Sequence, residues 1–197
     1  MPFDFASIIK QYNIKVTGII HAGGNEGEEV PLYKTYTDNI HIFEPIPWSF
    51  EKIDNSVKKY NVAVGSEKGT GTLLLASNNQ SSSFLSPKTH LQEHPWVSFS
   101  GQLKTEIHPI DEYEIKDCNV LNIDVQGFEL EVLKGAKNTL RGIDVIFSEI
   151  NEKELYENCA MLSDVDLYLE GFDFKRVDMN MTEHGWGDAC YIKKHLL

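Results

Sequence analysis

The sequence has few basic residues and few cysteines. Its 197 residues hold 18 lysines and arginines against 30 aspartates and glutamates, which gives a formal net charge of −12. Nucleic-acid binding depends on clustered basic side chains, so this balance argues against a nucleic-acid partner and against attachment to an acidic membrane surface. Cys118, Cys159 and Cys190 are too widely spaced for a disulfide framework or a zinc site, and we expect them to be buried apolar residues.

Long apolar runs are also missing. No stretch approaches the roughly 20 apolar residues of a membrane-spanning helix, so membrane insertion is not expected. Met1 to Lys10 lacks the basic segment and apolar run of a signal peptide. The sequence therefore predicts a soluble, cytoplasmic protein whose length suits a single domain over 1–197. No pattern in it indicates an oligomeric state.

The most informative stretch runs from Gly18 to Glu29 and reads GIIHAGGNEGEE. Its β-branched start predicts a buried strand, its glycines a turn, and the apolar spacing beyond it a helix, which is how nucleotide-binding α/β units begin. The spacing is not Gly-x-Gly-x-x-Gly, and Glu26, Glu28 and Glu29 place negative charge where a pyrophosphate would bind. A positively charged cofactor such as S-adenosylmethionine fits this turn better than a dinucleotide.

Strands alternate with helices along the chain, which predicts an α/β fold with a doubly wound sheet. Further strands are expected at 39–45, 61–64, 70–76, 120–125, 143–150, 174–179 and 189–193, the last two as an antiparallel pair. An N-terminal helix is expected within 1–14, and an inserted hairpin with loops within 66–110. Longer helices are expected from Pro47 to Tyr60, from Glu129 to Gly142, and from a cap at Asn151 and Glu154 to Leu169.

Acidic residues lie near the ends of three of these expected strands. Glu44, Asp124 and Glu149 each lie at a carboxyl end, where ligands bind in open α/β sheets. Glu44 comes about twenty residues after the glycine turn, the position from which an acid accepts hydrogen bonds from ribose hydroxyls. The alternatives are a solvated acid at Glu44, a helix cap at Asp124 and a helix-dipole partner at Glu149.

Several blocks, taken in order, resemble the FkbM family of methyltransferases. They are GGNEG at 23–27, FEP at 43–45, NVAVG at 61–65, DVQGFEL at 124–130 and LKGA at 133–136, and the resemblance covers roughly 17–193. The commoner family form has Asp at the position of His21 and Glu at the position of Gln126. This chain is similar to a recurring variant that carries HAGGNEGEE, NNQSSS, LNIDVQG and WGDA.

The resemblance implies a class I, Rossmann-like methyltransferase that uses S-adenosylmethionine and often methylates hydroxyls of sugars or polyketide products. By matching position, the glycine turn would line the methionine end of the cofactor, Glu44 would hold its ribose, and 63–64 with 82–83 would lie near its adenine. Glu26 or Asp124 would then neutralise its amino group. The implied cofactor-binding residues are His21, Gly23, Asn25, Glu26, Gly27, Glu44, Ala63, Val64, Ser82, Ser83 and Asp124.

Methyl transfer to a sugar hydroxyl needs orientation and a base near the hydroxyl proton. Candidate catalytic residues are Asp124, which ranks first, Glu149 and His184. His184 lies in a stretch with Trp186 and Asp188 that suits stacking on a sugar, although an ordinary surface turn explains it equally well.

No metal site is predicted, since His90, His94 and His108 lack metal-ligand spacing, and Mg²⁺ at the strand-end acids is not favoured. Two other functions compete with an O-methyltransferase acting on a sugar or glycan. One is an NAD(P)-dependent oxidoreductase, and the other is a non-catalytic module that binds a carbohydrate or a partner.

Overall fold

A computed structural model describes residues 5–197 as two β-sheets with short helices. The strands are β1 (Ile19–Ala22), β2 (Ile40–Phe43), β3 (Lys58–Tyr60), β4 (Ala63–Val64), β5 (Gly69–Ala76), β6 (Phe99–His108), β7 (Val120–Ile123), β8 (Val145–Asn151), β9 (Phe174–Met181) and β10 (Trp186–Lys193). The α-helices are α1 (Phe5–Gln11), α2 (Val30–Tyr33), α3 (Pro47–Phe50), α4 (His90–Glu93), α5 (Glu129–Lys134) and α6 (Leu162–Glu170). Short 3₁₀ turns cover Ile110–Tyr113, Thr139–Arg141 and Lys194–Leu196.

The larger sheet has seven strands in the order β3-β2-β1-β7-β8-β10-β9. Its neighbouring strands pair in parallel except at β10, which runs antiparallel to both β8 and β9. Strands β1, β2, β7 and β8 are buried at every position, as expected of parallel strands covered on both faces. The predicted doubly wound, mostly parallel sheet with a C-terminal antiparallel pair is confirmed.

Alternation along the strands builds one core on each face of this sheet. Ile20 and Leu121 pack on one side with the α5 residue Leu133, whereas Ile19 packs on the other side with Phe5 of α1. The three cysteines are buried and free of disulfides. Among residues 5–197, no helix combines the length and apolarity needed to cross a membrane.

The smaller sheet is built mainly from the predicted inserted hairpin. Strands β5 and β6 pair antiparallel over almost their whole length, and β4 pairs in parallel with the other edge of β6. The strand expected at 61–64 is present as Ala63–Val64, and it belongs to the smaller sheet rather than to the main sheet. Lys58–Tyr60 takes the edge position beside β2 instead.

The N-terminal helix expected within 1–14 is present as Phe5–Gln11, with Phe5, Ile8 and Ile9 buried. Phe3, which also contributed to that expectation, lies outside the described residues.

The helix expected from Pro47 to Tyr60 is wrong beyond Phe50. Asp54 accepts the Ser56 backbone N–H at 2.8 Å and the Lys34 ammonium at 2.6 Å, which fixes a turn and stops the helix. Ile53 and Val57 are buried as their spacing predicts, although the chain reaches them through irregular structure.

The helix expected from Glu129 to Gly142 ends at Lys134. Gly135 lies so close to the main chain that a Cβ there would be 1.9 Å from the Gly65 carbonyl oxygen. Asp111 then accepts the backbone N–H groups of Asn138 and Thr139, at 2.8 and 2.9 Å, which caps a separate 3₁₀ turn. Long-range contacts thus divide what the sequence presents as one helix.

The helix expected from a cap at Asn151 and Glu154 is also wrong, because α6 begins only at Leu162. The Leu155 carbonyl oxygen accepts the backbone N–H groups of Lys88 and His90, at 2.7 and 3.2 Å, so it is engaged outside any helix. Asn151 instead ends β8, and Asp164 accepts the Met161 N–H to cap α6.

Candidate active site

A cavity of about 500 Å³ opens at the carboxyl ends of β1, β2, β7 and β8. The smaller sheet and the loop at 78–82 form one wall, and the segment around α4 together with β10 forms another. This volume lies within the range of small-molecule sites, roughly 300–1,000 Å³. The ends of the parallel strands therefore carry the main candidate site, as the topology predicts.

The glycine turn after β1 forms the floor beside Asp124. Gly23 has φ = +84°, and a Cβ on it would lie 1.8 Å from the Asp124 carbonyl oxygen. Gly24 would place a Cβ 2.1 Å from Ile42. Both glycine N–H groups donate to the Phe43 carbonyl oxygen, at 2.9 and 3.1 Å. Glycine is thus required at both positions for the turn to pack between β2 and β7.

Glu44, directly after β2, is held rigidly at the cavity wall. Its Oε2 accepts the Asn25 backbone N–H at 2.8 Å, and its Oε1 accepts the Ile46 backbone N–H at 2.7 Å. The residue is only 4% exposed, and burial raises its pKa to about 7 although both N–H groups favour the charged form. Each carboxylate oxygen retains a lone pair for a ligand.

Gln126 connects two acids, Asp124 directly after β7 and Glu149 near the end of β8. Its Nε2 donates to Asp124 Oδ1 at 2.7 Å and to Glu149 Oε2 at 2.6 Å. Burial, followed by the charges of Asp124 and Glu129, raises the pKa of Glu149 well above its usual range. The amide therefore holds two carboxyl groups side by side at the cavity floor.

Gln126 is itself fixed by contacts that are distant in sequence. The Tyr156 hydroxyl lies 3.0 Å from its Oε1, and the Ser83 hydroxyl donates to its carbonyl oxygen at 2.6 Å. Its φ of +56° is unusual for a residue with a side chain. No role for Gln126 was predicted from the sequence, although its place in the DVQG block was a usable signal.

His21 lines the cavity from β1 and is almost completely buried. Its Nε2 accepts from the Asn122 side chain at 3.0 Å, and its Nδ1 lies 3.4 Å from the Tyr33 hydroxyl. Burial lowers the pKa of His21, so the ring stays neutral near pH 7 and supplies no positive charge.

The structure brings most of the sequence-predicted cofactor residues to this cavity. Those that line it are His21, Gly23, Asn25, Glu44, Ala63, Val64, Ser82 and Asp124. Ala63 and Val64 lie with Leu73, Phe84 and Phe128 in an apolar part of the wall. The Ser82 hydroxyl accepts the Ala76 N–H at 3.0 Å.

Glu26, Gly27 and Ser83 do not line the cavity. Glu26 pairs with Lys52, and the expectation that it neutralises a cofactor amino group stays a prediction. Gly27 packs against Ile53 and Val30 at the back of the turn. Ser83 is fully buried and serves to hold Gln126.

His184 does not line the cavity either, and its assignment as a candidate base stays a prediction. Its Nδ1 lies 2.6 Å from Glu93 Oε2 of α4. Trp186 and Asp188, which the sequence places in the same stretch as His184, belong to β10, and both line the cavity. Asp188 lies opposite Glu149 in the β8–β10 pairing, and burial together with the Asp124 charge raises its pKa to about 7.

The segment around α4 contributes side chains that the sequence reasoning missed. His90, His94 and Trp96 line the cavity, and Trp96 is 73% exposed at the mouth. The His94 ring lies 4.8 Å from that of His90 and 6.2 Å from that of Trp186. Within residues 5–197, no group of three or more His, Cys, Asp or Glu side chains is arranged to hold a metal ion.

Two characterised methyltransferases are similar to parts of the chain. The 2-O-methyltransferase NoeI of Sinorhizobium fredii is 36% identical over 81 residues, which cover 39% of this chain and 33% of NoeI. The hexuronic acid methyltransferase AglP of Haloferax volcanii is 28% identical over 138 residues, or 66% of this chain and 54% of AglP. The matched stretches thus span about a third and about half of these relatives.

Solved structures share the fold at low sequence identity. An FkbM methyltransferase from Methylobacillus flagellatus superposes with a TM-score of 0.61 and 13% identity, over 90% of this chain and 44% of that chain. Magnesium protoporphyrin IX methyltransferase from Synechocystis, solved with bound S-adenosylmethionine, gives a TM-score of 0.53 and 9% identity, over 95% and 75% of the two chains. The model of the methyltransferase FkbM domain matches residues 21–185, and the chain therefore belongs to that family.

Proposed function

We propose that this chain is an S-adenosylmethionine-dependent O-methyltransferase that acts on a sugar hydroxyl. The observation that carries the proposal is the set of carboxyl groups that line the cavity, with no lysine or arginine of residues 5–197 among the lining side chains. Six carboxyl groups line it, those of Glu28, Glu29, Glu44, Asp124, Glu149 and Asp188. Such a wall fits a cofactor that carries a sulfonium and an ammonium group, and it disfavours a pyrophosphate.

The same residues suit each part of that cofactor. Glu44 would accept hydrogen bonds from the ribose diol, because its two oxygens are already oriented by backbone N–H groups. Ala63, Val64 and Phe128 would enclose the adenine in the apolar part of the wall. Asn25 and the glycine turn would lie at the methionine end. When bound, S-adenosylmethionine supplies a methyl carbon activated by its sulfonium.

Asp124 is the proposed base. It is exposed to the cavity and held through Gln126, so it can approach the proton of a bound hydroxyl. Glu149 is nearly buried and is the second candidate, held by the same amide. The remaining work of the site is to orient the acceptor oxygen, which accounts for a large part of the rate of such displacements.

A sugar acceptor is supported by the chemistry of the wall opposite the glycine turn. Trp96 and Trp186 offer flat apolar faces, and the neighbouring imidazoles and carboxyl groups offer hydrogen bonds. The similarity to NoeI and AglP, a 2-O-methyltransferase and a hexuronic acid methyltransferase, points the same way. In this proposal the two sheets act as one domain, since both line the same cavity.

The competing functions are less consistent with the site. An NAD(P)-dependent oxidoreductase would have to place its pyrophosphate against Glu28 and Glu29. A non-catalytic carbohydrate-binding module has no use for the part of the cavity lined by Glu44 and the glycine turn.

The test combines calorimetry with transfer of a labelled methyl group. We expect S-adenosylmethionine and S-adenosylhomocysteine to bind, and labelled methyl to enter a glycan panel read by mass spectrometry. Asp124→Asn should lose transfer by about 10²-fold or more while still binding the cofactor. Asp178→Asn, at an exposed position on β9, is the matched control and should behave like the parent protein. Folded protein that gives no heat with either cofactor form would refute the proposal.

A further inference from the structure

We propose that the acceptor site selects a sugar without negative charge, either neutral or carrying an amino group, over a uronic acid, and that Asp188 is the residue that enforces this choice. The inference rests on the proposed function and narrows its substrate class. We call the part of the cavity lined by His90, Trp96, Trp186 and Asp188 the acceptor wall. The inference follows from unpartnered polar atoms in the acceptor wall and from the absence of positive charge along the described part of it.

Asp188 offers an acceptor atom that nothing in the described protein uses. Its Oδ2 is buried and has no hydrogen-bond partner, although the side chain lines the cavity. A buried carboxylate oxygen without a donor is costly, so a ligand that brings an O–H or N–H group to it is favoured. Hydroxyl and ammonium groups supply such a hydrogen, and a carboxylate does not.

Two neighbouring side chains also have an unused polar atom. Trp186 Nε1 is buried without a partner, two residues before Asp188 on β10. His90 is only 3% exposed, and its Nδ1 has no partner. Both residues line the cavity. A sugar hydroxyl donates and accepts at once, so a neutral sugar can serve the Asp188 oxygen and the Trp186 N–H together.

The charges of the acceptor wall oppose a uronate. Asp124 and Glu149 lie beside Asp188, and no lysine or arginine in residues 5–197 lines the cavity to balance them. Burial lowers the pKa of His90 to about 4, and burial also lowers that of His94, so both rings are neutral near pH 7. A uronate would therefore find no cation to pair with, and its charge would be opposed by Asp124 and by Asp188 in its ionised form. Such repulsion is a common source of specificity.

The test uses acceptors that differ at one position only. Methyl glycosides of glucose, galactose and mannose are offered with C6 as the alcohol, as the amine or as the carboxylate, together with labelled S-adenosylmethionine. We expect kcat/KM for the alcohol or the amine to exceed that for the matching uronate by at least about tenfold. A uronate that reacts as fast as its neutral partner would overturn the inference and leave the methyltransferase proposal standing. Labelling of no glycoside would overturn the inference, and calorimetry with S-adenosylmethionine alone would then judge the cofactor assignment separately.

Asp188→Asn tests the residue itself. It removes the negative charge and keeps the shape, so the ratio of uronate to neutral turnover should rise by about tenfold. Asp178→Asn, on the exposed part of β9, should leave the ratio unchanged. An unchanged ratio in a folded Asp188→Asn protein would remove Asp188 from the proposal. If that variant fails to fold, the ratios of the parent protein still decide the substrate class.

Discussion

At the scale of single residues, Glu44 has both carboxylate oxygens engaged by backbone N–H groups, of Asn25 and Ile46. A glutamine there would turn its NH₂ group toward one of these donors and would carry no charge. We expect Glu44→Gln to weaken S-adenosylmethionine binding by about 10- to 100-fold, the usual effect of losing a charged hydrogen bond of about 1.5–3 kcal/mol. Titration calorimetry measures the change, and Glu51→Gln, exposed just after α3, is the control. Equal affinities for the two variants would contradict the role of Glu44.

The raised pKa of Glu44 predicts a pH dependence for the part of the cavity where we propose that the nucleoside binds. Without a ligand, the Glu44 carboxyl has a pKa of about 7. A ribose diol donates to its charged form, so the affinity for a nucleoside should rise as the pH rises through that value. For 5′-methylthioadenosine, which carries the diol but lacks the methionine amino group, we expect about a tenfold gain from about pH 6 to about pH 8. Calorimetry in matched buffers measures it. The gain should vanish in Glu44→Gln, and a decline in the parent protein would refute the assignment.

The positions of residues at strand ends could be predicted from the sequence, and the positions of others could not. Glu44 and Asp124 come directly after buried strands, so topology alone brings them to the cavity. Gln126 depends on a positive φ and on Tyr156 and Ser83, which only the folded chain brings near. Glu26 lies in the same turn as Asn25, yet it points to Lys52, and no spacing rule distinguishes the two.

At the scale of elements, β10 brings Trp186 and Asp188 to the cavity, and it packs closely against β9. A Cβ on Gly187 would lie 2.1 Å from the Asn180 carbonyl oxygen, and backbone cannot yield as a flexible side chain can. We expect Gly187→Ala to lower the free energy of unfolding by about 2–4 kcal/mol, the range of severe steric changes. Urea denaturation measures it. Gly69→Ala, where a Cβ would meet nothing within 4 Å, should be nearly neutral, and similar losses at both positions would contradict this reading of β10.

The strands of the main sheet were more predictable than the helices because their apolar runs are buried on both faces. Apolar spacing identified Leu155 and Cys159 as buried, but it did not reveal that the segment holding them is irregular. The backbone of that segment pairs with the loop at 86–90. The Glu157 backbone N–H donates to the Ser86 carbonyl oxygen, and Tyr156 forms an isolated β-bridge with Pro87. Such long-range pairing outweighs local helical preference and leaves little trace in the local sequence.

At the scale of the whole molecule, two sheets share one cavity. The larger sheet supplies Glu44, Asp124 and Glu149 from its strand ends, and the smaller sheet supplies Val64 and Leu73. The order of blocks along the chain predicted the first contribution. The second depends on the pairing of β4 with β6 in the smaller sheet, which is determined by tertiary contacts rather than by the local sequence.

Because the cavity is built from both sheets, a ligand that fills it should stabilise the whole chain. With S-adenosylmethionine at about a hundred times its Kd, the free energy of unfolding should rise by about 2.7 kcal/mol, and Tm by about 5–10 °C for a chain of this size. Thermal unfolding followed by circular dichroism measures the shift. Glu44→Gln at the same cofactor concentration should shift less, because less of it is bound. NAD⁺ should give no shift, since its pyrophosphate would lie against the acidic wall, and stabilisation by NAD⁺ alone would refute the assignment of the cofactor.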